Sequence, residues 1–230
     1  MADRAHRPGA VSFAGALLGL VLSSRRVLAP VTLLIFAVVG VYLYRPNPVQ
    51  GSFGVTAVMT AFFCAWLVAA VEREVTPAAG AILTVLNGGA VAAWRGRLAL
   101  VSFFALVMTA FCLVWPTATG AFDRSPGPGD LLAAALAHLA CGAVGGALGL
   151  VLGPPLRTAT AFAIVLAALI ASIAVARPLE VVAGPGGVAR ALSHTPNGAV
   201  SGPLVVALAV AAGEAALLGY GARMQARWRG

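Results

Sequence analysis

Residues 71–97 read VEREVTPAAGAILTVLNGGAVAAWRGR and lie between two long apolar segments. The stretch opens with Glu-Arg-Glu at 72–74 and closes with Arg95 and Arg97. Charged residues avoid the hydrocarbon core of a bilayer, so both ends of the stretch are expected at the membrane surface. We therefore predict a loop between two membrane spans.

Within this stretch, four apolar residues recur at helical spacing: Ala81, Ile82, Val85 and Leu86. Asn-Gly-Gly at 87–89 follows them, and such residues end a helix. The pattern predicts a short surface helix, centred on 79–86, then a break before the next span. A helix placed there is suited to docking a partner protein.

The composition places the whole chain in a membrane. Hydrophobic residues make up 60% of the 230 residues and charged residues 10%, with a mean hydropathy of +0.96. Too little polar surface is left to cover a soluble domain of this size. The net charge of +8 comes from Arg alone and indicates membrane topology, with no nucleic-acid partner expected.

Six segments are long and apolar enough to span a bilayer as helices. They are 27–44, 53–71, 98–115, 131–152, 158–176 and 203–221. The predicted fold is an all-α integral membrane protein whose transmembrane domain covers 27–221. A cytoplasmic segment, 1–26, precedes it and a cytoplasmic tail, 222–230, follows it.

Two further segments are expected to lie at the membrane surface. The apolar run 11–22 is too short to span and is predicted to be an amphipathic interfacial helix, with a frayed apolar tail as the alternative. Residues 177–202 mix apolar residues with Gly and Pro, which predicts one or two short re-entrant or interfacial helices. The loop 116–130 is predicted to be a polar linker.

The arginines orient the predicted spans. Eleven of the 15 lie in the segments 1–26, 72–97, 153–157 and 222–230. Because cytoplasmic loops carry the excess of basic residues, both termini are predicted to be cytoplasmic, in a multi-pass protein of the plasma membrane.

Two polar residues lie inside predicted spans. Glu214 is either a pathway or coupling residue, or a carboxyl group hydrogen-bonded to a neighbouring helix or reaching the interface. His138 is expected to make an interhelical hydrogen bond, because no second ligand is spaced to join it at a metal.

The same span as His138 carries a stripe of glycines at four-residue spacing, which predicts a close-packing face for another helix. Its members are Gly142, Gly145, Gly146 and Gly149.

The chain itself is not expected to be an enzyme. Its three cysteines lie in different spans without CxxC spacing, and neither a metalloprotease motif nor a nucleotide-binding loop is present. No catalytic, cofactor-binding or metal-binding residues are predicted.

The order of these parts resembles the ABC-2 type transporter permeases. Three phrases are similar to small actinobacterial members of that family: SRRVLAPV at 24–31, YRPNPVQGSFGVTA at 44–57 and GGAVAAWRGRLAL at 88–100. The resemblance covers nearly the whole chain.

The resemblance implies an export permease for a lipid-like, peptide or drug-like molecule, acting as a homodimer or with a paralogous permease. A separate cytoplasmic ATP-binding subunit would hold ATP and Mg²⁺, and dimer contacts would come from spans 27–44 and 158–176. Carried over, the residues that couple to the ATPase are Glu72, Arg73, Glu74, Ile82, Val85 and Leu86.

Two other hypotheses about the function are considered. One is a non-transporting scaffold or accessory subunit that binds another membrane protein through the glycine stripe of 142–149, which we call the Gly142 face. The other is an ion-coupled carrier that uses Glu214, which predicts repeats between the two halves of the chain, and none are visible in the sequence.

Overall fold

The structure is a computed structural model that describes residues 24–43, 46–86, 89–153, 184–194 and 200–228, with isolated positions in 15–19 and 160–170. Within these residues every regular element is a helix, apart from one bridge between Asn47 and Phe122. The predicted interfacial helix at 11–22 and most of the predicted span 158–176 lie outside the described residues.

A 3-10 turn, Arg25–Val27, leads into the first α-helix. The α-helices in chain order are α1 (Leu28–Val41), α2 (Val49–Glu74), α3 (Pro77–Leu86), α4 (Ala90–Ala118), α5 (Pro128–Leu152), α6 (Gly184–Ser193) and α7 (Gly202–Trp228).

Four of these helices, α2, α4, α5 and α7, are long and apolar enough to cross a membrane. The described residues are all-helical, and the length and composition of these four helices indicate a membrane protein. Helix α1 has 14 residues and covers about 21 Å at 1.5 Å per residue, less than the roughly 30 Å of a hydrocarbon core.

Several helices run further than the sequence indicated. Residues 72–74, expected in a loop, form the last turn of α2, and α4 begins at Ala90, eight residues before the predicted span. Helix α7 continues through the predicted tail to Trp228. Glu72 of α2 and Arg97 of α4 form an ion pair. Because each charge has a partner of opposite sign, both residues can lie in helices that pack against each other.

Helix α2 lies at the centre of the bundle. In its most apolar stretch 72% of the residues are buried, against 17% for α7, which lies at the edge. Helix α2 packs most extensively against α5, and α5 also packs against α4 and α7. Helix α1 contacts α2 on another flank.

The short helix α6 lies in the segment for which short helices were expected. It packs against α2, α5 and α7, and Val188 and Leu192 are fully buried there. Close approach to α2 occurs at Gly54, where an added Cβ would lie 2.9 Å from the carbonyl oxygen of Ala189. Helix α6 is thus part of the helical core.

Candidate functional site

Charged residues tie the helices together at one end of the bundle, which we call the Glu72 end. Arg97 Nε donates to Glu72 Oε1 at 2.8 Å, and both side chains are largely buried. Glu74 accepts from the Ser24 hydroxyl at 3.0 Å and pairs with Arg26 at 3.3 Å. These bonds join α2 to α4 and to the turn before α1.

Arg73 makes a third connection at this end. Its Nε donates to the carbonyl oxygen of Gly153 at 2.9 Å, just beyond the end of α5. A cation at a helix C-terminus is favourable because the last carbonyl groups carry partial negative charge. All three charged residues assigned to ATPase coupling, Glu72, Arg73 and Glu74, therefore make bonds within the chain.

The apolar residues assigned to coupling lie on α3 and are placed differently. Ala78, Ala81, Ile82 and Val85 form one exposed stripe along two turns, at the i, i+3, i+4 and i+7 spacing of a single helix face. Ile82 is 60% exposed and Val85 77%. We call these four residues the α3 face; the side chain of Leu86 is outside the description.

His138 lies in the centre of the bundle between α5 and α2, fully buried. Its Nδ1 is 2.7 Å from the carbonyl oxygen of Ala134, and its Nε2 is 3.0 Å from the hydroxyl oxygen of Thr56. A carbonyl oxygen only accepts, so in the neutral ring Nδ1 carries the proton and Nε2 accepts from Thr56. His138 thus makes an interhelical hydrogen bond.

The glycine stripe of α5 lies against two helices of the same chain. A Cβ at Gly145 would overlap the carbonyl oxygen of Ala61 in α2, and one at Gly149 would lie 2.6 Å from that of Ala65. On the other side, Gly142 and Gly146 lie against α4. The Gly142 face is therefore filled from within and is not available to another protein, which removes the surface proposed for a scaffold.

Glu214 of α7 faces the start of α6. Its Oε1 accepts from the backbone N–H of Gly184, the first residue of α6, at 3.0 Å. The first N–H groups of a helix have no partner within that helix, and a carboxylate there also meets the positive end of the helix dipole. Glu214 thus holds α6 in place from a neighbouring helix.

The opposite end of the bundle, which we call the Asp130 end, holds a set of bonds that the sequence did not indicate. Asp130 is buried, accepts two hydrogen bonds from Arg124 at 2.6 and 3.1 Å, and accepts one from Gln50 at 2.7 Å. The hydrogen bonds from Arg124 to Asp130 raise the pKa of Arg124 above its ordinary value. The predicted linker 116–130 is therefore fixed to the start of α2.

Two hydrogen bonds between backbone groups also connect distant segments at the Asp130 end. The N–H of Asn47 donates to Ala121 at 3.2 Å, and the N–H of Asp123 donates to Asn47 at 2.9 Å. Phe122 lies between them and packs against Tyr42 and Phe53, with ring centroids 5.5 and 4.9 Å apart. A local sequence pattern could not show this pairing, because the segments around Asn47 and Phe122 are far apart in the sequence.

The described residues contain no group of three or more His, Cys, Asp or Glu side chains that could hold a metal ion. Comparison of the chain with protein-family models, with curated proteins and with solved structures finds no match in any of the three.

Proposed function

We propose that this chain is the membrane-spanning subunit of an ABC-type exporter and that α3 docks a separate ATP-binding subunit. The observation that carries the proposal is the α3 face, a row of four uncovered apolar residues at the Glu72 end. An amphipathic helix that lays such a face into a groove of its partner is a common mode of protein recognition.

The opposite side of α3 is attached to the bundle. Leu83 packs against the core that α1, α2 and α4 share, and the hydroxyl of Thr76 accepts from the N–H of Ala79 at 3.2 Å, capping the helix start. One side of α3 is thus anchored while the apolar side remains uncovered, as a docking helix requires.

The connections of α3 are short enough to transmit a displacement. Only Val75 and Thr76 separate it from α2, and Gly89, with φ of 97°, starts α4 after the break. Since Glu72 and Arg97 tie α2 to α4, a partner that moves α3 acts on both helices together. In this proposal the charged residues hold the bundle together, and the apolar residues of α3 contact the partner.

The rest of the topology follows from the sequence. Six spans, with the bilayer locally thinned at the short helix α1, and with both termini and the Glu72 end in the cytoplasm, agree with the excess of arginines there. ATP and Mg²⁺ would bind to the partner chain, and two permease chains, identical or paralogous, would enclose the route of a lipid-like, peptide or drug-like substrate.

The test is co-purification of the tagged chain from its native membrane, with identification of its partners and measurement of ATP hydrolysis. We expect an ATP-binding subunit in equal ratio with the wild-type chain. The double substitution Ile82→Asp and Val85→Asp should remove it, because two carboxylates would have to be desolvated in an apolar groove.

Thr76→Asp is the matched control. It adds a carboxylate at the exposed capping position just before α3, and Asp caps a helix start as well as Thr does. This variant should keep the ATP-binding subunit. A stable complex that contains only membrane proteins would overturn the proposal and favour an accessory subunit that uses a surface other than the Gly142 face.

A further inference from the structure

An apolar groove of about 700 Å³ lies between α1 and α4, over Leu67 of α2. Its sides include Val31 and Ile35 from α1 and Phe103 and Val107 from α4. A volume of this size is within the roughly 300–1,000 Å³ typical of small-molecule sites. Almost every side chain that lines it is apolar, with Ser24 and Arg25 as the exceptions.

We propose that this groove binds an acyl chain of an anionic phospholipid whose headgroup lies beside Arg25. The inference does not rest on the proposed transport function. It rests on the charge at the end of the groove and on the depth of the groove.

The guanidinium group of Arg25 lies at the groove and is available to bind an anion. Arg26 pairs with Glu74, and Ser24 also donates to Glu74. Arg25 is exposed and forms no ion pair with any residue that the structure describes. A phosphate group beside Arg25 would complement this charge, and basic residues at the membrane surface attract anionic lipids.

The depth of the groove matches one leaflet. Arg25 and Ile35 are ten residues apart, which is about 15 Å at 1.5 Å per residue in a helix. Half of a hydrocarbon core of roughly 30 Å has the same depth. A lipid with one chain along α1 therefore has its phosphate at the level of Arg25, whereas a free anion would leave the groove empty.

The test uses native mass spectrometry of the full chain purified in mild detergent. Palmitoyl-oleoyl phosphatidylglycerol and palmitoyl-oleoyl phosphatidylcholine are added at equal concentrations, so that only the headgroups differ. The wild-type chain should retain more phosphatidylglycerol. Arg25→Gln should lower the ratio of the two bound lipids about fivefold, the contribution of one basic residue near an anionic surface. Arg25→Lys should restore most of it.

Arg95→Gln is the matched control, because Arg95 is an exposed arginine at the same end and does not line the groove. It should leave the ratio unchanged. Val107→Trp, which fills the groove, should lower retention of both lipids. An unchanged ratio in Arg25→Gln, or an equal loss in Arg95→Gln, would overturn the proposal.

A photo-crosslinking amino acid at Ile35 identifies the occupant of the groove directly. Crosslinks to added phosphatidylglycerol support the proposal. Crosslinks to residues 1–23 of the same chain would show that its own N-terminal segment fills the groove and would likewise overturn it.

Discussion

Glu72 and Arg97 form a largely buried ion pair, with 2.8 Å between Arg97 Nε and Glu72 Oε1, that joins the last turn of α2 to the beginning of α4. Two residues further along α2, Glu74 pairs with Arg26, whose side chain is 64% exposed. The two pairs have similar chemistry but differ in their access to water.

We expect Glu72→Ala to lower the free energy of unfolding by about 3 kcal/mol, because breaking a buried pair leaves its charges poorly compensated. Glu74→Ala removes the pair with Arg26 and the hydrogen bond from Ser24, and it should cost less than Glu72→Ala, because water screens the partly exposed pair. Unfolding of both variants in mixed detergent micelles measures the difference. Equal losses would contradict the assignment of Glu72 to a buried structural role.

Close packing of α5 on α2 predicts a steric effect at Gly145. A methyl group there would overlap the carbonyl oxygen of Ala61, so Gly145→Ala should cost about 1–3 kcal/mol. Gly213→Ala in α7 is the control, since an added Cβ meets nothing within 4 Å there. The thermal unfolding temperature of Gly213→Ala should stay at the wild-type value or rise. An equal fall in both variants would contradict the close packing of α5 on α2.

The hydrogen bond from Gly184 to Glu214 predicts how α6 responds to substitution. Glu214→Ala removes the acceptor and should cost about 1.5–3 kcal/mol, the range for hydrogen bonds to charged groups. Glu214→Gln keeps an acceptor oxygen and should cost less. Hydrogen–deuterium exchange of 184–193 should accelerate more in the alanine variant. Loss of activity in Glu214→Gln without faster exchange would instead favour an ion-coupled carrier.

The surroundings of His138 predict its tautomer. Nδ1 faces the carbonyl oxygen of Ala134, so ¹⁵N NMR of histidine-labelled protein should show a protonated Nδ1 and an unprotonated Nε2. Thr56→Val should shift the Nε2 resonance, because the hydroxyl group that donates to it is lost. A proton on Nε2 in the wild-type chain would contradict this arrangement.

Local patterns in the sequence were enough for the helical class and for much of the helix placement. Each of the four long helices contains an apolar segment of spanning length, and a lipid environment leaves a helix as the simplest way to satisfy the backbone. The short helix was likewise visible from the spacing of Ala81, Ile82 and Val85, and α3 spans them.

The contacts between distant residues were not predictable in this way. Charged residues at 72–74 indicated a loop because the sequence does not show that Glu72 meets Arg97. The Gly and Pro residues of 116–130 predict a linker, because they give no sign of the bond between the backbone groups of Asn47 and Ala121. The acceptor for Gly184 is likewise 30 residues away, at Glu214.

The contact between Gly145 and Ala61 restricts how the molecule can change shape. With no side chain to act as a spacer, the backbones of α5 and α2 lie in close contact at this point, and a shift of one helix toward the other would bring backbone atoms of α5 against the carbonyl group of Ala61. Such extensive close packing favours movement of the two helices as a unit. Among the described helices that pack against this pair, α1 has the smallest contact and can be displaced with the least loss of packing.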